Sequence, residues 1–259
     1  QRMGSGPRLL LLHGTGGATH SWRGLLPALA DRFDVVAPDL PGHGFSSMGM
    51  ASLPGMAGAV RDLLATLDVA PEYIVGHSAG AAIALRLTLD RAVQPRVVIG
   101  LNAALTPFRG LAASLFPTMA KALALNPATA WVFSGVAGWQ FQAKRLIAST
   151  GSEIDAEGLA LYARLFARPD HVSGALSMMA NWDVAALSDE LADLGVPMHL
   201  ITALGDKAIP PEGAKRLAAQ HAHVTMHEIS NLGHLMHEED PGRVADLIFR
   251  TCLERQVAI

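Results

Sequence analysis

Gly76-His77-Ser78-Ala79-Gly80 joins two segments of opposite character: Tyr73-Ile74-Val75 before it reads as a short buried strand, and Ala81-Ala82-Ile83-Ala84-Leu85-Arg86-Leu87 after it as a helix. A serine in a strand-Gly-x-Ser-x-Gly-helix turn sits on strained backbone. Only small neighbours, here Gly76, Gly80, Ala81 and Ala82, let strand and helix approach so closely. The turn lifts the Ser78 hydroxyl above the end of a sheet and puts the next backbone N–H, that of Ala79, at a helix N-terminus where an oxyanion can be held. Ser78 is therefore a candidate nucleophile. The competing reading is a glycine-rich turn with an incidental serine.

Outward from this turn the chain alternates buried strands with helices. Leu9 to Leu12 and Asp34 to Ala37 are short apolar runs, ending in His13-Gly14-Thr15-Gly16-Gly17 and Pro38-Asp39-Leu40-Pro41-Gly42-His43-Gly44. Further strands are expected at Arg96 to Leu101, Met198 to Ala203 and Val224 to Glu228. Helices are expected at Trp22 to Leu29, Met56 to Leu67, Ala81 to Leu89, Pro211 to Ala219 and Arg243 to Cys252. This pattern predicts an α/β fold, a mostly parallel sheet with helices on both faces. From Thr106 to Trp182 the alternation stops, and helical stretches are punctuated by Pro107, Pro117, Pro127, Gly151 and Pro169. The expected organisation is a core of residues 1–105 and 183–259 with a helical lid, residues 106–182, packed on it rather than tethered by a linker. Gly14-Thr15-Gly16 after a strand hints at a dinucleotide site, but Thr19 stands where the third glycine belongs.

A serine hydroxyl is a weak nucleophile near neutral pH, so the chemistry requires a histidine to accept its proton and a carboxylate to orient that histidine. Asp206 follows the strand Met198 to Ala203, at the carboxyl end where side chains reach a site. His234, in Gly233-His234-Leu235, lies just beyond the next strand. The order Ser, Asp, His along the chain is that of one known triad arrangement. Asp183 is the competing carboxylate.

His13-Gly-Thr-Gly, Asp39-Leu-Pro-Gly-His-Gly, Gly76-His-Ser-Ala-Gly, Gly205-Asp206 and Gly233-His234 together resemble the α/β-hydrolase fold superfamily over nearly the whole chain. The resemblance implies Ser78 as nucleophile, Asp206 as acid, His234 as base, and the backbone N–H groups of Thr15 and Ala79 as oxyanion donors. The superfamily's first, antiparallel strands are not recognisable ahead of Leu9, and Gln1 replaces an initiating Met, so the N-terminal strands are expected to be missing. Some members carry the acid after the strand that here ends near Asn102; this chain has no carboxylate there. A narrower resemblance rests on Leu101-Asn-Ala-Ala-Leu-Thr-Pro-Phe-Arg-Gly110, Leu123-Ala-Leu-Asn-Pro127, Thr150-Gly-Ser152 and Met178-Met-Ala-Asn-Trp-Asp183. These segments are similar to the hydrolase-like accessory proteins associated with magnesium chelatase in bacteriochlorophyll synthesis. That implies a pathway, with a tetrapyrrole as candidate ligand and the chelatase as candidate partner, and leaves the reaction open.

Composition narrows the alternatives. A net charge of -3 and the lack of a Lys/Arg tract argue against nucleic acid. The single Cys252 excludes an internal disulfide framework and fits a reducing compartment, with the cytoplasm as the expected location and peripheral membrane attachment left open. Half of the residues are hydrophobic and 17% charged, yet no apolar run is long enough to span a membrane. Neither metal nor cofactor is expected: His221, His223 and His227 could share one face of a strand, but no carboxylate or cysteine joins them at ligand spacing. Asp39 and His43 read as turn builders. His77 reads as a packing residue pointing away from the nucleophile. Arg109, Lys144 and Arg145 are candidate partners for substrate carboxylates, against the plainer reading of a solvated face.

Two functions fit. One is a serine hydrolase cleaving an ester-like acyl bond of a small hydrophobic substrate, bound in an apolar cavity walled by Leu115, Met119, Phe133, Met178 and Trp182. The other is a non-catalytic accessory protein that binds a porphyrin or the chelatase.

Overall fold

The computed structural model describes residues 1–107, 132 and 139–253. Seven strands among them form one sheet: β1 (Arg2–Met3), β2 (Arg8–Leu12), β3 (Asp34–Val36), β4 (Tyr73–His77), β5 (Val97–Leu101), β6 (Met198–Ala203) and β7 (Val224–Ile229). Their order across the sheet is β1-β3-β2-β4-β5-β6-β7. Every neighbouring pair is parallel except β1 with β3.

One antiparallel strand, β1, does precede Leu9, where none is recognisable in the sequence. Two exposed residues carry no apolar pattern by which to find it. It is held instead by its pairing to Val35 and Val36 and by the Arg2 guanidinium on the Asp34 carboxylate, Nε to Oδ1 2.8 Å.

The run Leu9 to Leu12 is continuous because both faces of the sheet are covered. Side chains alternate along a strand. Leu9 and Leu11 therefore meet α1 (Leu25–Ala30) and α10 (Pro241–Leu253) through Leu25, Leu29, Val244 and Ile248. Leu10 and Leu12 face the other way, into the cluster that also holds Met56 and Val60 of α2 (Leu53–Thr66), Ile83 of α3 (Ala79–Leu89) and Leu217 of α8 (Glu212–Gln220). All four leucines are fully buried, each contributing roughly 1.5–3 kcal/mol. The helix expected from Trp22 to Leu29 is divided at Gly24, into a 3-10 turn at Thr19–Trp22 and α1. The start of α2 is set by Ser52, whose hydroxyl accepts the Gly55 N–H at 3.3 Å.

Between β5 and β6 lie α4 (Trp139–Ser149), α5 (Ala156–Phe166) and α6 (Pro169–Asn181), followed by the short α7 (Leu187–Glu190). The first two share a small apolar cluster, Ala143, Ile147, Tyr162 and Ala163, completed by Leu235 from the core. Gly174 of α6 lies directly on Gly42, where a Cβ on either glycine would meet the other's backbone. His171 of α6 accepts the Gly44 N–H at 3.1 Å and donates from Nε2 to the Gly16 carbonyl at 3.2 Å. The helix α6 is thus fastened to the glycine loops at the carboxyl ends of β2 and β3.

Candidate active site

Ser78 separates β4 from α3 with φ 52 and ψ -116, a conformation costly for any residue with a Cβ. The surroundings hold it there. Its N–H donates to the Leu101 carbonyl at 2.9 Å, and its carbonyl accepts from Ala81 and Ala104, each at 3.1 Å. The flanking glycines are required by contact: a Cβ on Gly76 would overlap the backbone of Gly80 and Ala81, and one on Gly80 the Leu12 carbonyl. Ala79 opens α3, so its N–H has no acceptor within the helix. The Gly14 loop passes beside the serine, close enough that a Cβ on Gly14 would lie 3.0 Å from the Ser78 Cβ. The loop is closed by the Gly17 N–H on the Gly14 carbonyl at 3.1 Å. Thr15 lies in it, half-buried, with its hydroxyl 3.4 Å from the Met178 sulfur.

Asp206 is buried in the loop after β6. Its Oδ1 accepts the N–H groups of Ala208 at 2.8 Å and Ile209 at 2.9 Å, which leaves Oδ2 for the His234 Nδ1 at 2.7 Å. With its proton on Nδ1, the imidazole keeps Nε2 as its basic nitrogen. Asp183, by contrast, is exposed and caps its own turn by accepting the Ala185 N–H at 2.9 Å. The structure therefore pairs His234 with Asp206.

The loop that carries His234 is held by residues to which the sequence reading gave no role in the site. Asn102 donates to the Gly233 carbonyl at 3.0 Å and the His234 carbonyl at 2.9 Å. Ser152 accepts the Leu235 N–H at 2.8 Å, and Glu239 accepts the Gly233 N–H at 2.9 Å. Residues 150–152 wedge between the loops of Asp206 and His234: the Thr150 carbonyl accepts the Lys207 N–H at 3.0 Å, and Gly151, at φ 86, leaves no room for a Cβ against Gly205. None of these contacts has a local signature, except that Asn is one of the few residues suited to the left-handed φ of 44 at position 102.

The other histidines near the site hold backbone groups or other rings. His77 is buried, and burial next to His237 and His234 drives it well below its ordinary 6.5. It is neutral and donates from Nε2 to the His234 carbonyl at 2.9 Å. His13 accepts the Leu40 N–H at 2.9 Å, and burial lowers it to about 3. Asp39 accepts from Thr19 at 2.7 Å and Phe45 at 2.9 Å, while His43 donates to the Pro41 carbonyl at 3.0 Å. The rings of His221 and His223 stand 5.7 Å apart, and the His227 Nε2 lies 2.9 Å from the His199 Nδ1. Among the described residues no group of three or more His, Cys, Asp or Glu could hold a metal ion.

Of the expected cavity wall, Leu115, Met119 and Phe133 lie outside the described residues, as does Arg109. Met178 is fully buried, and Trp182 packs against the same apolar cluster. Lys144 and Arg145 are exposed on α4. Two open grooves, about 750 Å³ at Thr106, Gly213, Arg216 and His221 and about 350 Å³ at Gly42, Phe45, Met48 and Arg168, are not lined by Ser78, Asp206 or His234. No helix among the described residues is long and apolar enough to cross a membrane.

A parallel sheet with this elbow at the end of β4 and an Asp–His pair beyond β6 and β7 places the chain in the alpha/beta hydrolase family, which it matches over residues 9–247. It is 43% identical over 236 residues to the magnesium-chelatase 30 kDa subunit of Rhodobacter capsulatus, covering 90% of this chain and 82% of that protein. It is also 29% identical to the pimeloyl-[acyl-carrier protein] methyl ester esterase of Methylococcus capsulatus, over 95% of this chain and 94% of that protein. Among solved structures, a thermophilic esterase from Thermogutta terrifontis superposes with a TM-score of 0.78 at 23% identity, covering 98% of this chain and 92% of that one. At that identity the likeness is one of fold.

Proposed function

We propose that the protein is a serine hydrolase that cleaves an ester-like acyl bond of an apolar substrate, with Ser78 as nucleophile, His234 as base and Asp206 as its orienting acid. The observation that carries the reading is the 2.7 Å bond from the His234 Nδ1 to Asp206, made in a loop anchored to the residue before Ser78. In this reading the Ser78 proton passes to the His234 Nε2 as Oγ bonds to the acyl carbon. The carbonyl oxygen takes up negative charge between the N–H groups of Thr15 and Ala79. Collapse expels the alcohol, which leaves with the imidazolium proton, and water repeats the sequence on the acyl-enzyme. No metal or cofactor takes part.

The helices between β5 and β6 act here as the lid, since α6 reaches both glycine loops and Met178 touches Thr15. Water excluded beneath them strengthens the oxyanion contacts. The chain's similarity to a protein named as a magnesium-chelatase subunit supports a substrate connected with magnesium-porphyrin synthesis. It also supports a second reading, a non-catalytic accessory role in which the same cavity binds a porphyrin or the surface docks on the chelatase. A fluorophosphonate probe separates the two: hydrolase chemistry requires a Ser78 adduct by mass spectrometry that Ser78→Ala abolishes. An intact protein that forms no adduct on prolonged exposure is the accessory.

A further inference from the structure

We infer that Asn102, together with His77, is a positioning residue that holds the backbone of His234 so that its imidazole meets Asp206 on one side and Ser78 on the other; the role in catalysis rests on the hydrolase reading, the tether itself does not. Asn102 is 1% exposed and its amide is used on both sides. Nδ2 donates to the carbonyls of Gly233 and His234, at 3.0 and 2.9 Å, while Oδ1 accepts the Ala203 N–H at 2.8 Å. That pattern fixes the orientation of the amide and requires it chemically. Aspartate has the same shape, but its carboxylate would face two carbonyl oxygens with no hydrogen to offer either.

The position of Asn102 gives these bonds their reach. Its N–H donates to the Ile201 carbonyl at 2.9 Å, and the residue before it, Leu101, accepts the Ser78 N–H. Ala203 lies three residues ahead of Asp206. One buried side chain therefore connects the strand end that fixes the nucleophile, the strand that delivers the acid and the loop that carries the base. The His234 carbonyl receives a second bond, from His77 Nε2 at 2.9 Å, and His77 is the neighbour of Ser78. Both lone pairs of that carbonyl are then used, and its loop cannot shift without breaking a buried bond. Reacting groups misplaced by about 1 Å lose on the order of 100-fold in rate.

The test reads the tether without requiring activity. Proton NMR of the full chain should show a far-downfield signal from the His234 Nδ1–H held by Asp206, assigned by its loss in Asp206→Asn. Asn102→Asp and His77→Leu, each checked for a native circular dichroism spectrum, should shift or erase that signal. His77→Gln, which can still offer an N–H, should keep it. If Asn102→Asp does not fold, the contrast between His77→Leu and His77→Gln decides. A signal unchanged in the folded Asn102→Asp and His77→Leu proteins, or absent from the wild type, overturns the assignment. Fluorophosphonate labelling of Ser78 in the same samples should fall about 100-fold with the signal. A wild type that shows the signal and never labels removes the hydrolase reading and leaves the tether standing.

Discussion

The Tyr162 hydroxyl donates a 2.7 Å hydrogen bond to Glu238 Oε1 in the protein interior, linking α5 to α9 (Met236–Glu239), the short helix that follows His234. Burial is the main force on this carboxyl. It lifts Glu238 from an ordinary 4.5 to about 8, against the opposing pull of the Tyr162 hydrogen bond and Arg23. The folded protein therefore holds this proton more tightly than the unfolded chain does. The stabilisation is complete below about 4.5 and is lost as pH rises through about 8, by at most about 1.4 kcal/mol per pH unit. Urea midpoints measured from pH 7 to 9, above the range in which the buried histidines titrate, should fall for the wild type and flatten for Glu238→Gln. Equal slopes in the two proteins would contradict a protonated Glu238.

On the acid side the sign reverses. Burial depresses His13, His171 and His237 to about 3, below the 6.5 of an unfolded chain. Their neutral forms contribute stability that is fully present above about 6.5 and disappears as pH falls toward 3. His171→Gln, which cannot take up a proton, should unfold at lower pH than the wild type even if it is less stable at pH 7. The measurement is the midpoint of acid unfolding followed by tryptophan fluorescence.

The elbow predicts opposite outcomes for two glycines. At Gly80 a Cβ would overlap the Leu12 carbonyl, so Gly80→Ala should yield little folded protein. Gly58, inside α2, has only the far end of Arg61 near that position, at 3.9 Å. Gly58→Ala should therefore raise the stability by roughly 0.5–1 kcal/mol in urea denaturation.

If His234 depends on Asp206 for its tautomer, Asp206→Asn should slow labelling of Ser78, and any ester turnover, by about 10⁴-fold with the fold retained. Asp183→Asn should leave both near wild type, because Asp183 caps its own turn in solvent. The reverse pattern would transfer the acid to Asp183.

A lid that encloses an apolar cavity beside Trp182 predicts quenching of its fluorescence by a porphyrin or a long-chain ester. Trp182→Phe should remove the corresponding part of the signal, and short polar esters should be poor substrates. Quenching that is unaltered in Trp182→Phe would place the ligand elsewhere.

The alternation of strands and helices, the elbow and the order Ser, Asp, His were legible along the chain because each depends on neighbours in sequence. A buried strand shows as Leu9 to Leu12, and a tight turn shows as the glycines that its crowding demands. The strand β1 was not legible, since two exposed residues held by a distant carboxylate have no periodicity. His77 read as a packing residue, and the sequence held no sign that its ring reaches the His234 carbonyl, 157 positions away.

The sequence by itself determined which backbone conformations were possible and which groups could carry acyl chemistry, because glycine freedom, apolar periodicity and side-chain reactivity belong to the residues themselves. Which carboxylate met the histidine was decided only by the tertiary structure. Asp206 and Asp183 are the same residue type, and they differ only in that β6 brings one into a buried loop opposite His234 while the other stays in water. The tethers from Asn102 and Ser152, made across 132 and 83 positions, belong to the same level. A hydrogen bond requires two groups to be held about 3 Å apart, and across such sequence separations only the packed sheet and its helices supply that distance.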